Sequence, residues 1–89
     1  MDGVTEGRVV HYVLDRGPNR GAHRAAVIVR AWGDAVTPPP GTVNLRVFLD
    51  GCNDTGEPWG TDGPILWVTS AHFDPSGTQE RTWHWIERA

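Results

Sequence analysis

A chain of 89 residues, 38% apolar and 9% aromatic, has material for one domain over residues 1–89 and one thin core, since a chain this short buries roughly 60–65% of its unfolded surface. A net charge of −3 argues against recognition of a phosphate backbone, which needs clustered positive charge. The single cysteine, Cys52, excludes an intrachain disulfide, and neither a leader-like stretch nor an apolar run near the ~20 residues of a bilayer span is present, so no membrane partner is expected.

Along the chain, short segments rich in β-branched and aromatic residues alternate with turn chemistry, and none carries a 3.6-residue apolar period. The first predicted strand is Arg8 to Leu14, "RVVHYVL", stopped by "DRGPNRG". The second, Arg24 to Trp32, "RAAVIVRAW", has a near-continuous apolar middle that fits a strand covered on both faces. "GDAVTPPPG" must be a loop, because Pro38, Pro39 and Pro40 cannot donate ladder hydrogen bonds. Strand three, Thr42 to Leu49, alternates Val43, Leu45, Val47 and Leu49 with Asn44, Arg46 and Phe48, the period of a half-buried strand. Asp50 to Gly63, "DGCNDTGEPWGTDG", reads as a long loop. Ile65 to Phe73 forms strand four, "DPSGTQE" a turn, and Thr82 to Ile86 strand five.

Five strands at this spacing without a helix predict an all-β fold, a small five-stranded SH3-like or OB-like barrel. Trp83 and Trp85 share one face of the last strand, where two inward indoles would plug a barrel that this strand closes. The expected core is Val9, Val13, Val27, Val29, Val43, Leu45, Val47, Trp67, Trp83 and Trp85.

The polar residues form no catalytic or metal signature. His11, His23, His72 and His84 fall on different segments with no paired ligand spacing, so no metal or other cofactor is assigned, and His11, His72 and His84 are read as half-exposed strand residues hydrogen-bonding across the sheet. "DGCNDTGE" lacks the glycine of a calcium loop and reads as a solvated acidic turn. Ser70 and His72 lack a nucleophile elbow, Cys52 lacks a basic neighbour, and 89 residues leave little wall for a cleft, so the expectation is a protein that is not an enzyme. Trp59, in the long loop, is the tryptophan least explained by strand burial.

"GRVVHY" at 7–12, "RAAVIV" at 24–29, "VNLRVF" at 43–48 and "TWHW" at 82–85 together resemble small uncharacterised proteins of actinobacterial bacteriophages. Glu80 and Arg81 stand where that pattern has a glycine before Thr82. The resemblance implies a phage context without a settled activity. The resulting expectation is a structural protein of the virion, made in the host cytoplasm. It would decorate a capsid or serve as another accessory component, docking on a shell protein as a symmetric oligomer on a lattice. Trp59 is the expected anchor, with Arg46 and Arg81 as rim contacts. The alternatives are an intracellular inhibitor of a host protein, or a module binding glycans or single-stranded nucleic acid through Trp59 with Trp32 or Trp67.

Overall fold

The computed structural model describes residues 3–32, 40–55 and 65–87. Strands β1 (Val9–Val13), β2 (His23–Ala31), β3 (Val43–Phe48), β4 (Ile65–Phe73) and β5 (Thr82–His84) close into a barrel in the order β1-β2-β3-β4-β5, with β5 returning to β1. This is the all-β, five-stranded small barrel expected from the sequence. Neighbouring strands are antiparallel except β4 and β5, which run parallel. So short a parallel return is possible because the chain rounds a corner of a closed barrel instead of crossing a sheet face. Asp74 locks that corner: its carboxylate accepts from the Ser76 and Gln79 backbone N–H groups, at 3.0 and 2.9 Å.

The interior is filled by Val10, Tyr12, Ala26, Ile28, Val43, Leu45, Val47, Val68, Ala71 and Trp83, all buried. Burying an aliphatic side chain of this size is worth about 1.5–3 kcal/mol. Trp83 sits at the centre, its indole N–H donating to the Gly41 carbonyl at 2.7 Å, and Trp85 packs edge-on against it with ring centroids 5.0 Å apart. Trp85 is half-buried at the core's rim, under the Arg8 guanidinium. Tyr12 is fully buried, and desolvation, helped by the Asp15 charge, pushes its hydroxyl up to about 12 against the pull of Arg81 and Arg16.

Three of the expected core residues face solvent. Trp67 is 51% exposed, and Val9 and Val29 are each 44% exposed; Val27 lies between the classes. Val9 faces out by plain alternation with inward Val10 and Tyr12, whereas β2 and β4 each carry a register shift that changes which residues turn inward. In β4 the ladder shifts between Val43 and Leu45, whose partners are Ala71 and Val68, and Ser70 in the extra step takes a φ of 56°. Leu66 and Val68 therefore point inward before the bulge, and Ala71 and Phe73 after it. A strict alternation from Phe73 and Ala71 would have placed Trp67 inside. In β2 the shift between Ile28 and Arg30 does the same, turning Ala26 and Ile28 inward on one side and Ala31 on the other.

The first part of the long predicted loop is helical. The single-turn helix α1 (Gly51–Thr55) carries a buried Asp54, so this segment is not the solvated turn expected. Asp54 accepts from the Arg24 guanidinium through Nε and a terminal nitrogen, both at 2.7 Å, from Asn19 at 2.9 Å and from the Asp50 backbone N–H at 2.6 Å. A helix this short has no periodic signature, and a tertiary ion pair holds it. The chain passes so close at Gly17 that a Cβ there would lie 2.0 Å from the Asp54 carbonyl oxygen. Trp59, Pro38 and Pro39 lie outside the described residues.

Candidate metal centre

In β1, Val10 and Tyr12 turn inward, which sends His11 to the outer surface between them. In β5, inward Trp83 likewise sends His84 outward, and the ladder sets His11 and His84 directly opposite each other. His23 opens β2 opposite Val13, two residues along β1 from His11. Closure of the barrel thus brings together three imidazoles from three strands, of which β5 is remote in sequence from β1 and β2. Their centroids are 4.5 Å apart for His23 and His84, 5.8 Å for His11 and His84, and 6.3 Å for His11 and His23.

Glu87, beyond the end of β5, folds back over the three rings. Its Oε2 lies 2.6 Å from His11 Nδ1, and its Oε1 lies 2.8 Å from His23 Nδ1 and also contacts His84 Nε2. One ligand atom from each of the four residues falls within 4.8 Å of all the others. Bonds of ~2.0–2.1 Å to a tetrahedral ion set donors about 3.4 Å apart, so to admit an ion the Glu87 carboxylate would withdraw from the histidine nitrogens it now meets at 2.6 and 2.8 Å, while the wider pairs of the group, all within 4.8 Å, would draw together.

The turn between β4 and β5 forms the inner wall. The Gly77 carbonyl lies 2.8 Å from His23 Nε2. A Cβ at Gly77, where φ is +67°, would stand 3.1 Å from His84 Cε1 and 3.2 Å from His23 Cε1, so the close seating of both rings depends on glycine. Beneath this cover His84 is 3% exposed, and its Nδ1 is buried without a hydrogen-bond partner among the described residues. The expectation of half-exposed histidines bonding across the sheet is corrected for His84: the turn and Glu87 cover it. His72 stays exposed on β4, opposite Thr82 and apart from the group.

The hydrogen-bond inventory of His23 is informative. Its two nitrogens face a carboxylate and a backbone carbonyl, and both can only accept. A neutral imidazole has one N–H, so one nitrogen presents a lone pair to an acceptor. An electron-pair acceptor, either a second proton or a metal ion, has to lie between them. With the proton on Nε2 donating to Gly77, Nδ1 is free to ligate, and a backbone carbonyl is a common outer partner for a metal-bound histidine. Desolvation raises the Glu87 carboxyl, but bonds from its own backbone N–H, His11 and His84 outweigh this and draw it down to about 2, so a carboxylate faces the three rings. Three imidazole nitrogens and one carboxylate oxygen suit zinc and its neighbours in the first transition series, and not calcium or magnesium, which take oxygen.

The sequence reading assigned no metal residues and did not join these four, which closure of the barrel brings together. Of the interface residues it named, Arg46 is exposed on β3 between its ladder partners Val27 and Trp67. Arg81 lies in the corner before β5, with a φ of 65° and its guanidinium 3.8 Å from Asp15. β3 and β5 are not neighbours in the barrel, so these two arginines belong to different surfaces. Trp32 is partly buried on its own, its indole N–H donating to Asn44 at 3.3 Å with the Arg30 guanidinium stacked 3.9 Å from the ring centroid.

Comparison with known proteins finds no matching family model, curated protein or solved structure, so the reading of the centre rests on its geometry.

Proposed function

We propose that this chain is a metal-binding β-barrel whose centre, His11, His23, His84 and Glu87, holds one divalent ion of the zinc class. The observation that carries the reading is His23, set between two acceptors at 2.8 Å, in a group with three further side chains that each offer a ligand atom. Such an ion would tie β1, β2 and β5 to the segment after β5, across a seam where β5 contributes only three residues. The test is zinc titration of chelator-treated protein by calorimetry, with thermal unfolding alongside. One equivalent bound at neutral pH, with a rise in melting temperature that His11→Ala removes, is the expected result. Unchanged unfolding and no bound zinc would mean that His23 carries a second proton and that the group is an ion-pair cluster.

The outer face of the barrel supports a second reading, docking on a protein partner. Val9, Val27, Arg46 and Trp67 form one row of directly paired residues across four strands, and Phe48 pairs with Ile65 beside it. Phe48 and Ile65 are each 46% exposed. Apolar side chains massed on one sheet face mark interaction surfaces more often than isolated ones do. On this reading the partner is a phage shell or other virion protein, and Arg46 is a contact at the centre of the row. Co-sedimentation of Trp67→Ser with purified particles tests it: loss of attachment with unchanged folding supports docking through this face, and absence of the wild-type protein from particles ends it.

A further inference from the structure

The four ligands of the centre are not equivalent. His11, His23 and His84 stand on strands, each fixed by ladder pairing with a neighbour. Glu87 lies in the irregular segment after β5, following the exposed Ile86, and displacing it breaks no strand pairing. Exposure follows the same order: the side chains of His84, His11, His23 and Glu87 are 4%, 25%, 34% and 47% exposed. The carboxylate therefore occupies the solvent side of the centre, and the deepest ligand is the histidine seated under Gly77.

We infer that Glu87 is an exchangeable internal ligand, and that the position it fills is a binding site for an incoming oxyanion, a carboxylate or a phosphate. The inference rests on the metal reading above. Three neutral imidazoles leave the full charge of a divalent ion in place, so the fourth position favours an anion over a neutral donor. Three protein ligands with one exchangeable position is the arrangement of zinc sites that meet outside molecules, whereas structural sites are closed by four fixed ligands. The spacing agrees as well. The two Glu87 oxygens are divided between His11 on one side and His23 and His84 on the other, which shows that a group of carboxylate size spans the opening. An internal carboxylate in this position competes with an external one, and its departure opens the ion to solvent without disturbing the barrel.

Cobalt(II) provides a visible probe of this position. Chelator-treated wild-type protein and Glu87→Ala are each loaded with one equivalent of cobalt, their folding is checked by circular dichroism, and each is titrated with acetate and with inorganic phosphate. Glu87→Ala is expected to retain its cobalt and to bind the anion about tenfold or more tightly than wild type, because the tethered competitor, present at an effective concentration near millimolar, has been removed. The anion that responds at the lower concentration identifies the source, a carboxylate-bearing molecule or a phosphate. Loss of cobalt by Glu87→Ala while wild type binds it would overturn the inference and make Glu87 a fixed ligand of a closed centre. Retained cobalt whose spectrum neither anion changes at tens of millimolar would overturn it too. Failure of wild type itself to take up cobalt or zinc would be a separate result, removing the metal reading on which the inference stands.

Discussion

Two polar clusters bind peripheral segments to this barrel, and they start from adjacent residues of β2. Arg24 and His23 point to opposite faces of the strand. Arg24 reaches Asp54 and secures α1, and His23 reaches Glu87 and Gly77 and joins the group at the β1–β5 seam. The Asp54 cluster is complete: both carboxylate oxygens meet donors from Arg24, with Asn19 and the Asp50 N–H added, and the charges cancel. The histidine cluster is not, since His23 meets acceptors at both nitrogens and His84 Nδ1 is buried without a partner among the described residues. A buried carboxylate whose hydrogen bonds close among themselves is explained by folding alone, whereas a histidine that faces two acceptors calls for a second proton or a metal ion.

The largest expected effect lies on the closed side of this comparison. Asp54→Asn leaves the Arg24 charge without its partner and should lower stability by about 3 kcal/mol, at the low end for a broken buried pair because Arg24 is 24% exposed and regains some hydration. Urea unfolding should show the same loss with chelator and with zinc; a loss that zinc repairs would show that the two clusters are coupled. The pH dependence has a definite sign. The Arg24 hydrogen bonds, against desolvation and with help from Asp50 and Asn19, hold the Asp54 carboxyl well below the usual carboxylate range. Its contribution is therefore complete above the unfolded value near ~4 and is lost as pH falls below that toward the folded value. An acid titration of Asp54→Asn should lack this part of the wild-type decline.

The next effect belongs to the histidine side. At free zinc about a hundredfold above its dissociation constant, binding to the folded state alone adds roughly 2.7 kcal/mol. Asp54→Asn should gain the same increment as wild type, and His11→Ala should gain none. A gain by His11→Ala equal to that of wild type would place the ion elsewhere.

How much of this the sequence disclosed follows from range. The strands were readable because β-branched residues and turn formers act locally, and closure by the last strand followed from "TWHW" and the need to bury it. Trp67 was misplaced because the bulge at Ser70 is a property of the β3–β4 ladder and leaves no mark in the alternation of β4. Asp54 looked like an ordinary turn former because its partner, Arg24, lies on another strand. The histidine group was hidden for the same reason. His11, His23 and His84 carry no motif spacing, and their meeting depends on the order β5-β1-β2. One signal was available: once the last strand is set beside the first, the outward histidines of "VVHYV" and "TWH" can face each other.

A smaller effect is expected at Gly77. Alanine there must adopt a positive φ, at a cost of about 1 kcal/mol for a left-handed residue, and its Cβ would press on the His23 and His84 rings. Zinc affinity should fall further than stability measured in chelator, because the displaced rings are ligands. Equal loss in both conditions would mean that Gly77 serves the turn and not the centre.

The smallest effect comes from a pair that repeats the Arg24–Asp54 geometry without the burial. Arg20 meets Glu80 with Nε and a terminal nitrogen, one to each carboxylate oxygen, just as Arg24 meets Asp54. The Arg20 hydrogen bonds likewise draw the Glu80 carboxyl down. The Glu80 side chain, however, is 34% exposed and that of its partner Arg20 65%, whereas those of Asp54 and Arg24 are 1% and 24% exposed. Water and salt screen an exposed pair, and when one partner is removed the other is rehydrated, so the desolvation cost that makes Asp54→Asn severe does not arise. Glu80→Gln should therefore leave the urea midpoint unchanged within error at physiological salt. Comparison with Asp54→Asn holds the two-armed geometry in common and leaves burial, with the added bonds from Asn19 and the Asp50 N–H that accompany it, as the difference. A loss for Glu80→Gln comparable to that for Asp54→Asn would show that the geometry of the pair, and not its removal from water, sets the stability of this side of the barrel.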